Sequence, residues 1–93
     1  MQRLKILPEY FEPVIRNEKR FEIRSVEDRM FHTGETLILD EFHPEHGYTG
    51  RSAIIEITYV LFYDEFEGLA SGYAAFSHNV IEVLEPCSQI RRR

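Results

Sequence analysis

A chain of 93 residues has room for one domain, and a hydrophobic content of 43% excludes a disordered polymer. Its net charge of −5, from 11 Lys and Arg against 16 Asp and Glu, excludes non-specific coating of duplex DNA, because an acidic body is repelled by phosphate backbones. No apolar run nears the ~18 residues of a bilayer span, the charged start leads into too short an apolar stretch for a secretory leader to be expected, and Cys87 alone forms neither an internal disulfide nor a cysteine zinc cage. A cytoplasmic protein with no membrane partner, no metal and no cofactor is expected, with one domain over 1–86 and a polar basic tail over 87–93.

Leu4 to Leu7 is a short apolar run that reads as a first strand, closed by Pro8. Proline suits the first turn of a helix, where its missing N–H costs nothing. Tyr10, Phe11, Val14 and Ile15 then recur at helical spacing as one apolar face, and the helix is expected to end near Asn17 or Glu18. Pro13 kinks this helix or forces a late start.

The remainder reads as strands. Phe21 to Ser25 alternates, which places Phe21 and Ile23 in the core and sends Glu22 and Arg24, about 7 Å apart, to the opposite face. A turn at Thr33-Gly34 precedes a strand from Glu35 to Phe42 with a buried run at Leu37, Ile38 and Leu39. His43 to Gly50, with Pro44, Gly47 and Gly50, reads as a loop between antiparallel strands. Arg51 to Tyr63 would extend for about 43 Å, too long to stay straight in so small a domain, so a bend or bulge is expected. Asp64 to Gly72 reads as a loop with one helical turn, and Tyr73 to Leu84 as a last strand or two with a turn at His78-Asn79. The class is α+β: a small open β-barrel of about five to six mostly antiparallel strands, with the N-terminal helix packed on it.

The charges are unevenly placed. Arg16, Lys19, Arg20, Arg24 and Arg29 crowd the first third, whereas Glu35 to Glu45 holds four acids and no Lys or Arg. A local cationic site on an acidic body is therefore the expectation. Lys19, Glu22 and Arg24 form its first constellation, with a forked guanidinium for a phosphate or base edge and a carboxylate for an amine or ribose hydroxyl. The bland alternative is an exposed strand face with ion pairs worth little each. Gly47 to Arg51 is the second, with Tyr48 to stack on a base, Thr49 beside it and Arg51 to reach a phosphate; the alternative is a hairpin turn with Tyr48 capping the barrel end. Glu56 is expected on the wetter face with Thr58. His43 and His46, near Asp40, Glu41 and Glu45, read as solvated loop histidines, and His32 and His78 as isolated ones.

Several ordered motifs are familiar together: Leu4-Lys5-Ile6-Leu7-Pro8-Glu9-Tyr10-Phe11, Lys19-Arg20-Phe21-Glu22-Ile23-Arg24, Gly34-Glu35-Thr36-Leu37-Ile38-Leu39, Gly47-Tyr48-Thr49-Gly50-Arg51 and Gly72-Tyr73. Over residues 3 to 84 the chain resembles the DUF3850 family, which looks like a branch of the ASCH domains in the PUA-like superfamily. The resemblance implies a PUA-like pseudobarrel and binding of short or structured RNA or a nucleotide in a cleft beside it, through Lys19, Glu22, Arg24, Tyr48, Thr49 and Arg51. Some small ASCH proteins look like amidohydrolases of acetylated cytidine, built on a lysine, a threonine three residues later and a distant glutamate. That alternative would use Lys19, Glu22 and Glu65, and this chain carries Glu22 where the threonine would stand. A third reading is a phage or mobile-element accessory that holds a host protein through Tyr63 and Phe66.

Overall fold

The computed structural model describes residues 1–86. The basic tail expected over 87–93, with Cys87, lies outside the described residues.

Alternating Leu4 and Ile6 bury one face of β1 (Gln2–Ile6), and Pro8 opens α1 (Pro8–Ile15) at its first position. Pro13 lies inside the helix, so the bond it would have given to the turn before is missing. The helix nevertheless runs on to Ile15, two residues short of the end expected near Asn17 or Glu18. A Schellman closure completes it: Asn17 N–H donates to the Val14 carbonyl at 3.0 Å and Glu18 N–H to the Pro13 carbonyl at 2.8 Å. Asn17 takes the left-handed conformation, φ 65°, that this closure requires. Lys19 N–H also donates to Pro13, at 3.0 Å, so the helix end fixes where Lys19 leaves it. Asn17→Val places a β-branched residue in that conformation and is expected to lower stability by about 1–2 kcal/mol, read from urea unfolding, whereas Asn17→Gly is expected to hold or raise it.

Only half of the apolar face expected on α1 is buried. Phe11 and Val14 are fully enclosed and Ile15 packs at the margin, but Tyr10 is exposed. Beyond the helix come β2 (Phe21–Ser25), β3 (Thr36–His43), β4 (Gly47–Phe62), a 3-10 turn at Tyr63–Glu65 and β5 (Tyr73–Leu84). The sheet order is β1-β3-β4-β5-β2, with β1 parallel to β3 and the other ladders antiparallel. The expected barrel of five to six mostly antiparallel strands is thus corrected to a curled, mixed, five-stranded half-barrel. The excursion through α1 and β2 brings the chain back to β1 in the same direction, which makes that pairing parallel.

The bend expected in the long strand is present. Thr58 is an extra residue in β4 against β5, and Ile81 is an extra residue in β5 against β4. β5 runs unbroken through His78-Asn79, so no turn forms there, and the loop after His43 is shorter than expected because β4 begins at Gly47. Glu56 and Thr58 lie on the exposed face, as the alternation implied. Inside the curl sit Leu4, Ile6, Phe11, Leu37, Leu39, Ile55 and Ile57, while Ile38 is only half-buried. Phe31, from the segment between β2 and β3, plugs the core against Phe76 with ring centroids 4.8 Å apart. Among the described residues no helix is long and apolar enough to cross a membrane.

Candidate functional site

β2 contradicts the face assigned to it. Phe21 and Ile23 are each 51% exposed, whereas Glu22 is 4% exposed and Arg24 is half-buried. The antiparallel register explains the inversion: Glu22 lies opposite Phe76 and Arg24 opposite Ala74, and both of those β5 residues face the interior. Alternation shows that two faces differ and does not say which is inside. Here the balance is tipped by partners waiting for the carboxylate. Lys19 Nζ lies 2.6 Å from Glu22 Oε2, and Arg24 reaches Oε1 through Nε at 3.1 Å and Nη2 at 3.0 Å. His78 Nε2 is 3.8 Å from Oε2. Burial pushes the Glu22 carboxyl up, but His78, Lys19 and Arg24 together outweigh it and hold it down at about 2.

Among the described residues β1 and β2 are the two unpaired edges of the half-barrel, and the seam between them opens into two adjoining hollows. The larger, of about 770 Å³, carries five basic side chains: Arg3, Lys5, Arg24, Arg29 and Arg51. Three acids, Asp28, Asp40 and Glu41, share it. Basic residues thus outnumber acids along this lining in a chain of net charge −5, though of the basic cluster read from the first third only Arg24 and Arg29 line it. The second hollow, of about 530 Å³, lies between Leu7 and Tyr10 on one side and β2 on the other. Lys5 and Arg24 line both.

A family model described as a domain of unknown function, DUF3850, matches residues 1–78. The chain belongs to the DUF3850 family. No curated protein matches it.

Within this DUF3850 domain the sequence-assigned residues separate into two groups. Lys19, Glu22 and Arg24 converge on the seam. Thr49 and Arg51 belong instead to a second ion cluster. Where β3 meets β4 the register slips, so that Glu41 faces the stretch from Thr49 to Arg51. Thr49 Oγ1 donates to Glu41 at 2.7 Å, and Arg51 grips the same carboxylate with Nε at 2.9 Å and Nη2 at 3.0 Å. Arg51 also pairs with Glu12 of α1 and lies 4.9 Å from the Phe11 ring centroid. The guanidinium, with Thr49, outweighs burial and holds Glu41 below the usual carboxylate range, while Glu41 and Glu12 push Arg51 up. An arginine so fully engaged braces the fold rather than waiting for a phosphate.

Tyr48 is exposed at the mouth of the larger hollow, edge-on to Phe42 at 5.0 Å, so its ring remains open to a ligand. Glu65 lies outside the hollows and spends its carboxylate on the Phe62 N–H at 2.8 Å. His43 and His46 stack on each other at 4.4 Å, and among the described residues no group of three or more His, Cys, Asp or Glu is placed to hold a metal.

Sequence reasoning missed Lys5, Tyr10, Glu41 and His78. Glu41 shares the parity of the buried Leu37 and Leu39, so its inward direction was readable. Lys5 has no carboxylate partner among the described residues, and its ammonium lies 4.3 Å from the Phe42 ring centroid, free to meet an anion. A carboxylate as acidified as Glu22 is a weak proton acceptor.

Proposed function

We propose that this half-barrel is a PUA-like, ASCH-type domain that binds a nucleotide or a short RNA in the cytoplasm, in the seam between β1 and β2. One observation carries the reading: cations outnumber acids in the larger hollow of an otherwise acidic protein. That hollow concentrates positive potential at one spot, which favours a short or structured anion over an extended duplex. Lys5 and Arg29 supply the phosphate contacts, since among the described residues Lys5 has no carboxylate partner and Arg29 meets the exposed Asp28 only loosely, at 4.0 Å. Tyr48 offers a stacking face at the rim. Acyl transfer has less support, because the sequence carries Glu22 where the amidohydrolase pattern places a hydroxyl nucleophile.

Titration of fluorescent RNA oligomers at low salt tests the proposal. Lys5→Ala with Arg29→Ala is expected to weaken binding about tenfold or more and to flatten its salt dependence by close to two phosphates. Unfolding stability should stay within about 0.5 kcal/mol, because neither side chain is buried. Absence of RNA and nucleotide binding in the native chain, or binding indifferent to both substitutions, overturns the reading.

A further inference from the structure

The second hollow is lined by consecutive residues of both edge strands, Lys5 and Ile6 from one, with Leu7 just beyond its end, and Phe21 to Arg24 from the other. Neighbouring strand residues point to opposite faces, so a hollow touched by successive residues lies along the strand edges, in the open seam itself. Its character differs from that of its neighbour. Leu7, Tyr10, Phe21 and Ile23 give it exposed apolar and aromatic walls, each of them at least 37% exposed.

Lys19 stands in this wall. Its ammonium is 4.9 Å from the Phe21 ring centroid and 5.8 Å from that of Tyr10. Two of its three N–H bonds are committed, to the Phe21 carbonyl at 2.8 Å and to Glu22 at 2.6 Å. The third meets no acceptor among the described residues and is left for a polar atom between the rings. β2 adds backbone groups of its own. Arg20 is hydrogen-bonded to His78 and Val26 to Gly72, which in an antiparallel ladder makes the alternate residues Phe21, Ile23 and Ser25 turn their N–H and C=O groups to the free edge. The Phe21 carbonyl, taken by Lys19, obeys this parity.

An occupant must therefore be flat and apolar with hydrogen-bonding edges at one end, and anionic at the other, where Lys5 and Arg24 lead into the cationic hollow. We infer that the two hollows divide a single nucleotide between them: an unstacked heterocyclic base lies against Tyr10 and Phe21 with an acceptor atom on Lys19, and its phosphate sits at Lys5, where the apolar hollow opens into the cationic one. This inference rests on the nucleotide-binding reading and adds to it the orientation of the ligand and the requirement for a base out of its stack. A base held in a helix cannot enter a seam between two strands, so the chain selects single-stranded or free nucleotides.

Calorimetric titration with uridine 5′-monophosphate, ribose 5-phosphate and inorganic phosphate separates the two ends. In the native chain the nucleotide is expected to bind about tenfold or more tightly than ribose 5-phosphate, the scale of one aromatic stacking contact. Phe21→Ala, or Tyr10→Ala as a second variant at another exposed ring, should reduce that advantage to under about threefold and leave ribose 5-phosphate unaffected. Lys5→Ala should weaken both ligands alike. If nucleotide or RNA binds and the base advantage survives both ring deletions, the base lies elsewhere and the inference fails while the binding function stands. If neither nucleotide nor RNA binds, both fail together.

Discussion

Arg51→Met is expected to lower unfolding stability by about 3 kcal/mol, a large share of the roughly 5–10 kcal/mol such a domain holds. Met keeps the apolar stem but removes both guanidinium donors from Glu41, which is 4% exposed and among the described residues retains only the Thr49 hydroxyl. A buried carboxylate without its guanidinium is the costly species, far more than the loss of an ion pair in water. Glu12→Ala should cost under about 1 kcal/mol, because that carboxylate is 43% exposed and its attraction to Arg51 is screened. The double substitution Arg51→Met with Glu41→Leu removes both charges and should recover most of the loss. Urea unfolding followed by circular dichroism gives all four values. A single Arg51→Met variant within 1 kcal/mol of the native chain would show that Glu41 is solvated after all.

The same cluster shows where the sequence stopped being readable. Strand existence follows from local composition, and the long run from Arg51 to Tyr63 announced its own bend because no small domain holds it straight. Direction is a different matter. In β2 the apolar and charged residues alternate, and the larger apolar pair looks like core until the partner strand is known. The decision is made 50 residues away, by Ala74 and Phe76 facing inward, and by Lys19 arriving beside Glu22 from the end of α1. Neither is visible within a five-residue window. The pairing of Arg51 with Glu41 likewise depends on a slip in register between β3 and β4, which no spacing along either strand encodes. Residue types were legible, and Lys19, Glu22 and Arg24 do meet; the sharing of work between Arg51 as a brace and Lys5 as an open cation was settled only by tertiary pairing.

Glu22→Gln is expected to cost roughly 3 kcal/mol at pH 7 and almost nothing near pH 2. The native carboxyl titrates at about 2, against an ordinary value of 4.5. Between those values the unfolded chain binds more protons than the folded one, so stability rises with pH there: it is fully present above about 4.5 and lost as pH falls through 2. Gln has the shape of the protonated acid, so the variant imitates at pH 7 what acid does to the native protein. Lys19 and Arg24 would then lose their shared counter-charge, and both are close enough to water, 19% and 25% exposed at the side chain, for the domain to stay folded. The measurement is urea unfolding of both proteins at intervals from pH 7 to pH 2. The native curve should descend toward the variant's as the acid limit approaches. Two curves that remain parallel over the whole range would mean that Glu22 is not held as a carboxylate by the seam. The inward-facing charge cluster would then be a packing contact and nothing more.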